Sequence, residues 1–183
     1  MGKLVTVPLR LVHHRWGIPI LAELHRQGGA RFAALRGHLG VSRDALTSTL
    51  AHLIELGLVS RNTGHGHPLR PEYLPTPAGR SLAAPCDALH TQLVDLGLER
   101  VGLRKWSLPI VGAVSGARDT FSSLRGALDP ITPRALSKSL TDLVDAALLE
   151  RDERSYALTD SSDRLIEPLL QVSAAFTRVP SQH

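Results

Sequence analysis

The sequence has one cysteine, one methionine and few aromatic residues (two Trp, two Tyr, three Phe) among 183 residues. One cysteine excludes an intramolecular disulfide and fits a reducing compartment. Aromatics at 4% leave little to line a cofactor pocket, and no cofactor is expected. No apolar run approaches the ~18 residues of a membrane span. The N-terminus lacks the apolar core and small-residue cleavage site of a signal peptide, so a cytoplasmic protein is expected. Met1 to Thr6 fits a loose myristoylation pattern, short enough to be read as chance. A nucleophile elbow, a phosphate loop and a paired-carboxylate motif are all missing, which argues against an enzyme. Lysine is scarce as well, 3 residues against 18 Arg, which reads as GC-rich coding rather than function.

Metal ligation finds little support. His65-Gly66-His67 and the Cys86/His90 pair have suggestive spacing, but no four-ligand set accompanies them, and no metal is expected. Cys86 stands beside Asp87, whose charge disfavours a thiolate, so it reads as a packing residue. What remains is ordinary globular material, 43% hydrophobic and 21% charged with a net charge of +4, which excludes a disordered or collagenous chain.

The chain repeats itself. Trp16 pairs with Trp106 at an offset of 90 residues, Phe32 with Phe121 at 89, and Tyr73 with Tyr156 at 83. Trp16-Gly17-Ile18-Pro19-Ile20 aligns with Trp106-Ser107-Leu108-Pro109-Ile110, and Phe32 to Gly37 aligns with Phe121 to Gly126. Ala45, Leu46, Leu50, Leu53, Leu58 and Arg61 match Ala135, Leu136, Leu140, Leu143, Leu148 and Arg151. The falling offset places a deletion between Arg151 and Tyr156. The expected organisation is therefore two copies of one unit, over residues 1–97 and 98–183.

In the first copy, Ile18, Leu21, Ala22 and Leu24 form a helical stripe ended by Gly28-Gly29. Phe32, Leu35 and Leu39 form a short second helix. Ser42 caps a third, striped by Leu46, Leu50, Leu53, Ile54 and Leu56, with Gly57 at its C-terminal end. Leu58 to Ser60 and Glu72 to Leu74 read as strands around a hairpin tip over Arg61 to Arg70. Thr76-Pro77 opens a long helix through Leu96. The second copy repeats this order from Leu108 to Leu170, with Thr132 capping its third helix. The predicted fold is mostly α with small β-hairpins: two tandem winged helix-turn-helix units.

Trp16, Phe32 to Leu35, Ser42 to Leu56, Gly57-Leu58-Val59 and Tyr73 to Gly79 together resemble the HxlR-type branch of the MarR-like winged-helix regulators. The second copy matches less well, with Ala147 where the family has Gly and no Gly after Thr159. Members usually carry one winged helix and pair through terminal helices. The resemblance therefore implies a bacterial transcription regulator, a repressor by preference, whose two copies make a covalent pseudo-dimer, acting as a monomer or pairing again as a homodimer. It also admits a small-molecule effector, which no residue identifies.

Double-stranded DNA is the partner so implied. Ser42, Arg43, Thr47 and Ser48 are placed on the recognition helix, and Arg61, Asn62, Thr63, His65 and Arg70 on the wing. Thr132, Arg134, Ser137, Lys138 and Arg151 are their second-copy counterparts. Charge is uneven: residues 1–92 hold 10 Lys or Arg against 5 acids, residues 93–183 hold 11 against 12. Glu150, Asp152 and Glu153 put acid on the second wing. The first copy is thus expected to dominate binding. The competing readings are a protein-interaction scaffold and a ligand- or redox-sensing regulator.

Overall fold

The computed structural model describes residues 6–62 and 72–179. Its first half runs α1 (Leu9–Val12), α2 (Gly17–Gln27), β1 (Ala30–Arg31), α3 (Phe32–Leu39), α4 (Arg43–Glu55), β2 (Val59–Asn62), β3 (Glu72–Pro75) and α5 (Pro77–Asp95). The second runs α6 (Glu99–Gly102), α7 (Ser107–Ser115), α8 (Phe121–Ala127), α9 (Pro133–Asp145), β4 (Leu149–Asp152), β5 (Ser155–Leu158) and α10 (Asp160–Thr177). The molecule is mostly helical with two small antiparallel sheets.

The caps predicted at Ser42, Thr76 and Thr132 are in place, and Thr159 opens the last helix in the same way. The side chains of Ser42, Thr76, Thr132 and Thr159 accept from the backbone N–H of Ala45, Gly79, Ala135 and Ser162 at 3.0–3.3 Å. Gly57 holds φ +70° after α4, and Ala147 holds φ +53° at the equivalent point after α9. In both, the next residue's N–H bonds back to a leucine carbonyl, Leu58 to Leu53 and Leu148 to Leu143, each at 2.9 Å. Ala147 therefore accepts a left-handed backbone, at a cost of about 1 kcal/mol, that glycine adopts freely.

The strands differ from expectation in detail. Both hairpins begin one residue later, at Val59 and Leu149, because Leu58 and Leu148 are engaged by the helix-end turn. Arg61 and Asn62 belong to β2, paired with Tyr73 and Glu72, rather than to a tip. An unpredicted strand, β1, adds to β3 with Ala30 opposite Tyr73. In the second half a single bridge, Thr120 to Ser155, stands in its place. The β4–β5 turn is Glu153-Arg154, within the Arg151 to Tyr156 stretch where a deletion is expected.

Two further features occur in both halves. Arg15 stacks over Trp16 at 5.4 Å and Lys105 over Trp106 at 5.1 Å, a cation on the same ring in each half. Helices α5 and α10 each hold a proline nine residues after the capping threonine, Pro85 and Pro168. Leu82, Cys86 and Leu89 of α5 and Leu165, Leu169 and Val172 of α10 are buried at matching positions. α5 packs against both α2 and α10, so the buried leucines of the two halves form one connected apolar cluster.

Candidate nucleic-acid interface

Helices α3 and α4 are joined by Gly40, the buried Val41 and the cap Ser42. Leu46, Thr49, Leu50 and Leu53 face the core, which leaves Arg43, Asp44, Thr47 and Ser48 exposed along the first half of α4. That periodicity is the reason: a helix with its stripe buried must present the intervening residues to solvent. Ile54, expected on the buried stripe, is exposed instead, because the helical turn carries it to the stripe's edge beyond Leu50 and Leu53. Arg61 and Asn62 are exposed on β2, the strand that follows. The guanidinium groups of Arg43 and Arg61 have no hydrogen-bond or ion-pair partner among the described residues. Thr63, His65 and Arg70, expected on the wing, lie outside the described residues.

The second set is arranged alike but electrostatically restrained. Thr132, Arg134, Ser137, Lys138 and Arg151 are exposed. Lys138 Nζ sits 3.5 Å from Asp142 on its own helix, and Arg104 also binds Asp142. Arg151 stands on β4 between the exposed Glu150 and Asp152.

A histidine cluster beside α4 carries no local sequence signal. His14 and His52 rings lie 4.8 Å apart, with His13 at 5.1 and 6.0 Å from them. His52 Nε2–H donates to the Arg10 carbonyl at 2.7 Å, and the Ser48 hydroxyl lies 3.4 Å from His14 Nδ1. The cluster thus ties the segment before α2 to α4. Burial, then the neighbouring His52 and His13, lower the His14 pKa from its ordinary 6.5. The unfolded chain therefore takes up that proton more readily than the folded one, and stability is lost as pH falls through 6.5. Thermal denaturation between about pH 7.5 and 5.5 should show a falling Tm, and His14→Asn should flatten the fall. An unchanged slope would remove His14 from this account.

Cys86 is fully buried in α5, and burial together with Asp87 pushes its thiol pKa strongly upward, which opposes the thiolate that redox sensing needs. His90, its neighbour one turn on, is buried and hydrogen-bonds Glu99 at 2.9 Å. No group of three or more His, Cys, Asp or Glu side chains able to hold a metal occurs among the described residues. No described helix is long and apolar enough to cross a membrane.

A capped, solvent-facing second helix followed by a hairpin defines the first half as a helix-turn-helix module with a wing. Residues 11–98 match the HxlR-like helix-turn-helix family. The chain is 43% identical over 83 residues to an uncharacterized HTH-type transcriptional regulator of Mycobacterium tuberculosis (strain CDC 1551 / Oshkosh). It is 42% identical over 83 residues to one of Mycobacterium bovis. Each match covers 45% of this chain and 52% of the relative, so the chain spans about half the length of the curated relatives it matches. These relatives are named as regulators, not as enzymes.

Proposed function

We propose that the protein is a sequence-specific transcription regulator, acting as a repressor, that binds duplex DNA with α4 in a major groove and the β2–β3 wing on the adjoining backbone. The exposed row Arg43, Thr47 and Ser48 on a capped helix carries this reading. Arg43 has the reach and donors for a guanine or a phosphate, and Thr47 and Ser48 can hydrogen-bond either. Arg61 and Asn62 serve the wing.

The two halves, 1–97 and 98–183, act as a pseudo-dimer. The packing of α5 on α10, the paired prolines and the paired cation–tryptophan contacts support this. The two recognition helices are unequal partners, because Lys138 is tied to Asp142 and the second wing is acidic. Footprinting on a selected operator is the test. Two protected half-sites about one helical turn apart, the one under α4 more strongly protected, are expected. A single half-site per chain would sink the pseudo-dimer, and no protection on any selected duplex would sink the DNA reading.

A further inference from the structure

The repeat contains one exchange that opens a site. In the first half Glu23, on the core side of α2 and 6% exposed, has its carboxylate held by His38 Nδ1 of α3 at 2.7 Å and by Arg26 at 3.6 Å. The offset of 90 that aligns the tryptophans places Ala113 of α7 at the position of Glu23. The offset of 89 that aligns Phe32 with Phe121 places Ala127 of α8 at that of His38. A buried carboxylate and its exposed histidine partner in one half are thus a pair of alanines in the other.

The space left is a cleft of about 230 Å³ lined by Ala113, Ala127 and Leu128, by Val7 and Leu9 of the N-terminal segment, and by Arg118. The N-terminal wall is pinned, since the Ser173 hydroxyl of α10 donates to the Thr6 carbonyl at 2.8 Å. Arg118 is held beside Ala113: its backbone N–H donates to the Ala113 carbonyl at 3.1 Å, across a turn in which Ala117 has φ +61°. Its guanidinium has no hydrogen-bond or ion-pair partner among the described residues. The second half therefore keeps a cation and an apolar wall at the place where the first half supplies a carboxylate from its own chain.

We propose that this cleft binds a small monocarboxylate with a compact apolar body, its carboxylate on Arg118 and its body against Leu9, Ala113, Ala127 and Leu128. A planar guanidinium takes a carboxylate through two parallel hydrogen bonds, and the apolar lining rewards a hydrocarbon body over a free inorganic anion. The site is separate from α4 and the wing, so it is tested without DNA, and its failure leaves the DNA reading untouched.

Cyclohexanecarboxylate is the probe and its neutral isostere, cyclohexanecarboxamide, the control, titrated into the full chain by calorimetry with NMR of the Val7, Leu9 and Leu128 methyl groups. Saturable binding of the acid that shifts those methyls is expected, with the amide weaker by about tenfold or more. Arg118→Gln should weaken the acid by a similar factor. Ala113→Glu, which restores the first copy's carboxylate to the cleft, should abolish it. Absence of saturable binding, equal affinity for acid and amide, or binding unchanged in Arg118→Gln would overturn the proposal. Should Ala113→Glu not fold, Arg118→Gln and the acid-to-amide comparison decide the matter.

Discussion

Gly79→Ala is expected to cost about 3 kcal/mol of stability or more, enough to unfold a marginally stable domain. A Cβ at residue 79 would lie 1.8 Å from the Leu58 carbonyl oxygen and 2.9 Å from its carbon. Both are backbone atoms, and neither can swing aside as a long side chain would. The approach is close because Thr76 clasps this corner: its hydroxyl donates to the Gly57 carbonyl at 2.6 Å and accepts from the Gly79 N–H at 3.0 Å. The threonine-to-glycine spacing at the start of α5 thus has a packing cause. The second half solves the same corner differently. Thr159 donates to the Ala147 carbonyl at 2.7 Å, and a fully buried serine, Ser162, completes a capping box. Ser162→Gly should therefore cost only about 1 kcal/mol, the worth of a cap. Urea denaturation of both variants measures the contrast, and a Gly79→Ala loss below about 0.5 kcal/mol would contradict it.

Replacing Arg43 and Arg61 by alanine should weaken duplex binding far more than replacing Arg134 and Arg151. Loss of a base-reading arginine costs about 1–3 kcal/mol, or roughly ten- to hundredfold in affinity, and loss of a phosphate contact lowers the salt slope by about 1. Arg43 and Arg61 bring guanidinium groups that no described carboxylate neutralises. Arg151 is flanked along β4 by Glu150 and Asp152, which repel the phosphates it would approach. For the second pair the expected loss is under about fivefold, and equal losses in gel-shift titrations would refute the asymmetry.

Local signals were legible in the sequence and distant ones were not. Leucines at helical spacing, threonine and serine caps, and glycine after α4 each act within a few residues, so the main helices and both hairpins could be read directly. β1 depends on Ala30 meeting Tyr73, more than forty positions away in the chain, and its two residues carry no strand pattern of their own. The helices α1 and α6 are four residues each, too short for periodicity to register. Glu23 lies within the apolar stripe of α2, and no local signal marks it as buried; its partners His38 and Arg26 accompany that burial. The histidine cluster joins residues 13 and 14 to residue 52, and the cleft arises from what two alanines fail to fill. For the candidate interface, solvent exposure of α4 was predictable from its stripe, and the Lys138–Asp142 pair is a local one, four residues apart on one helix, whereas the pairing of Arg104 with Asp142 required the packing of α9.

The salt dependence of affinity for a mixed-sequence duplex tests the central claim most directly. A protein that seats α4 and its wing on DNA displaces counterions from each neutralised phosphate, so log affinity should fall linearly with log salt at a slope near −0.9 per contact, several contacts in all. A weak response that stays flat from about 50 to 200 mM salt would mean that the exposed arginines meet no phosphates, and that these helices present a surface to protein partners instead.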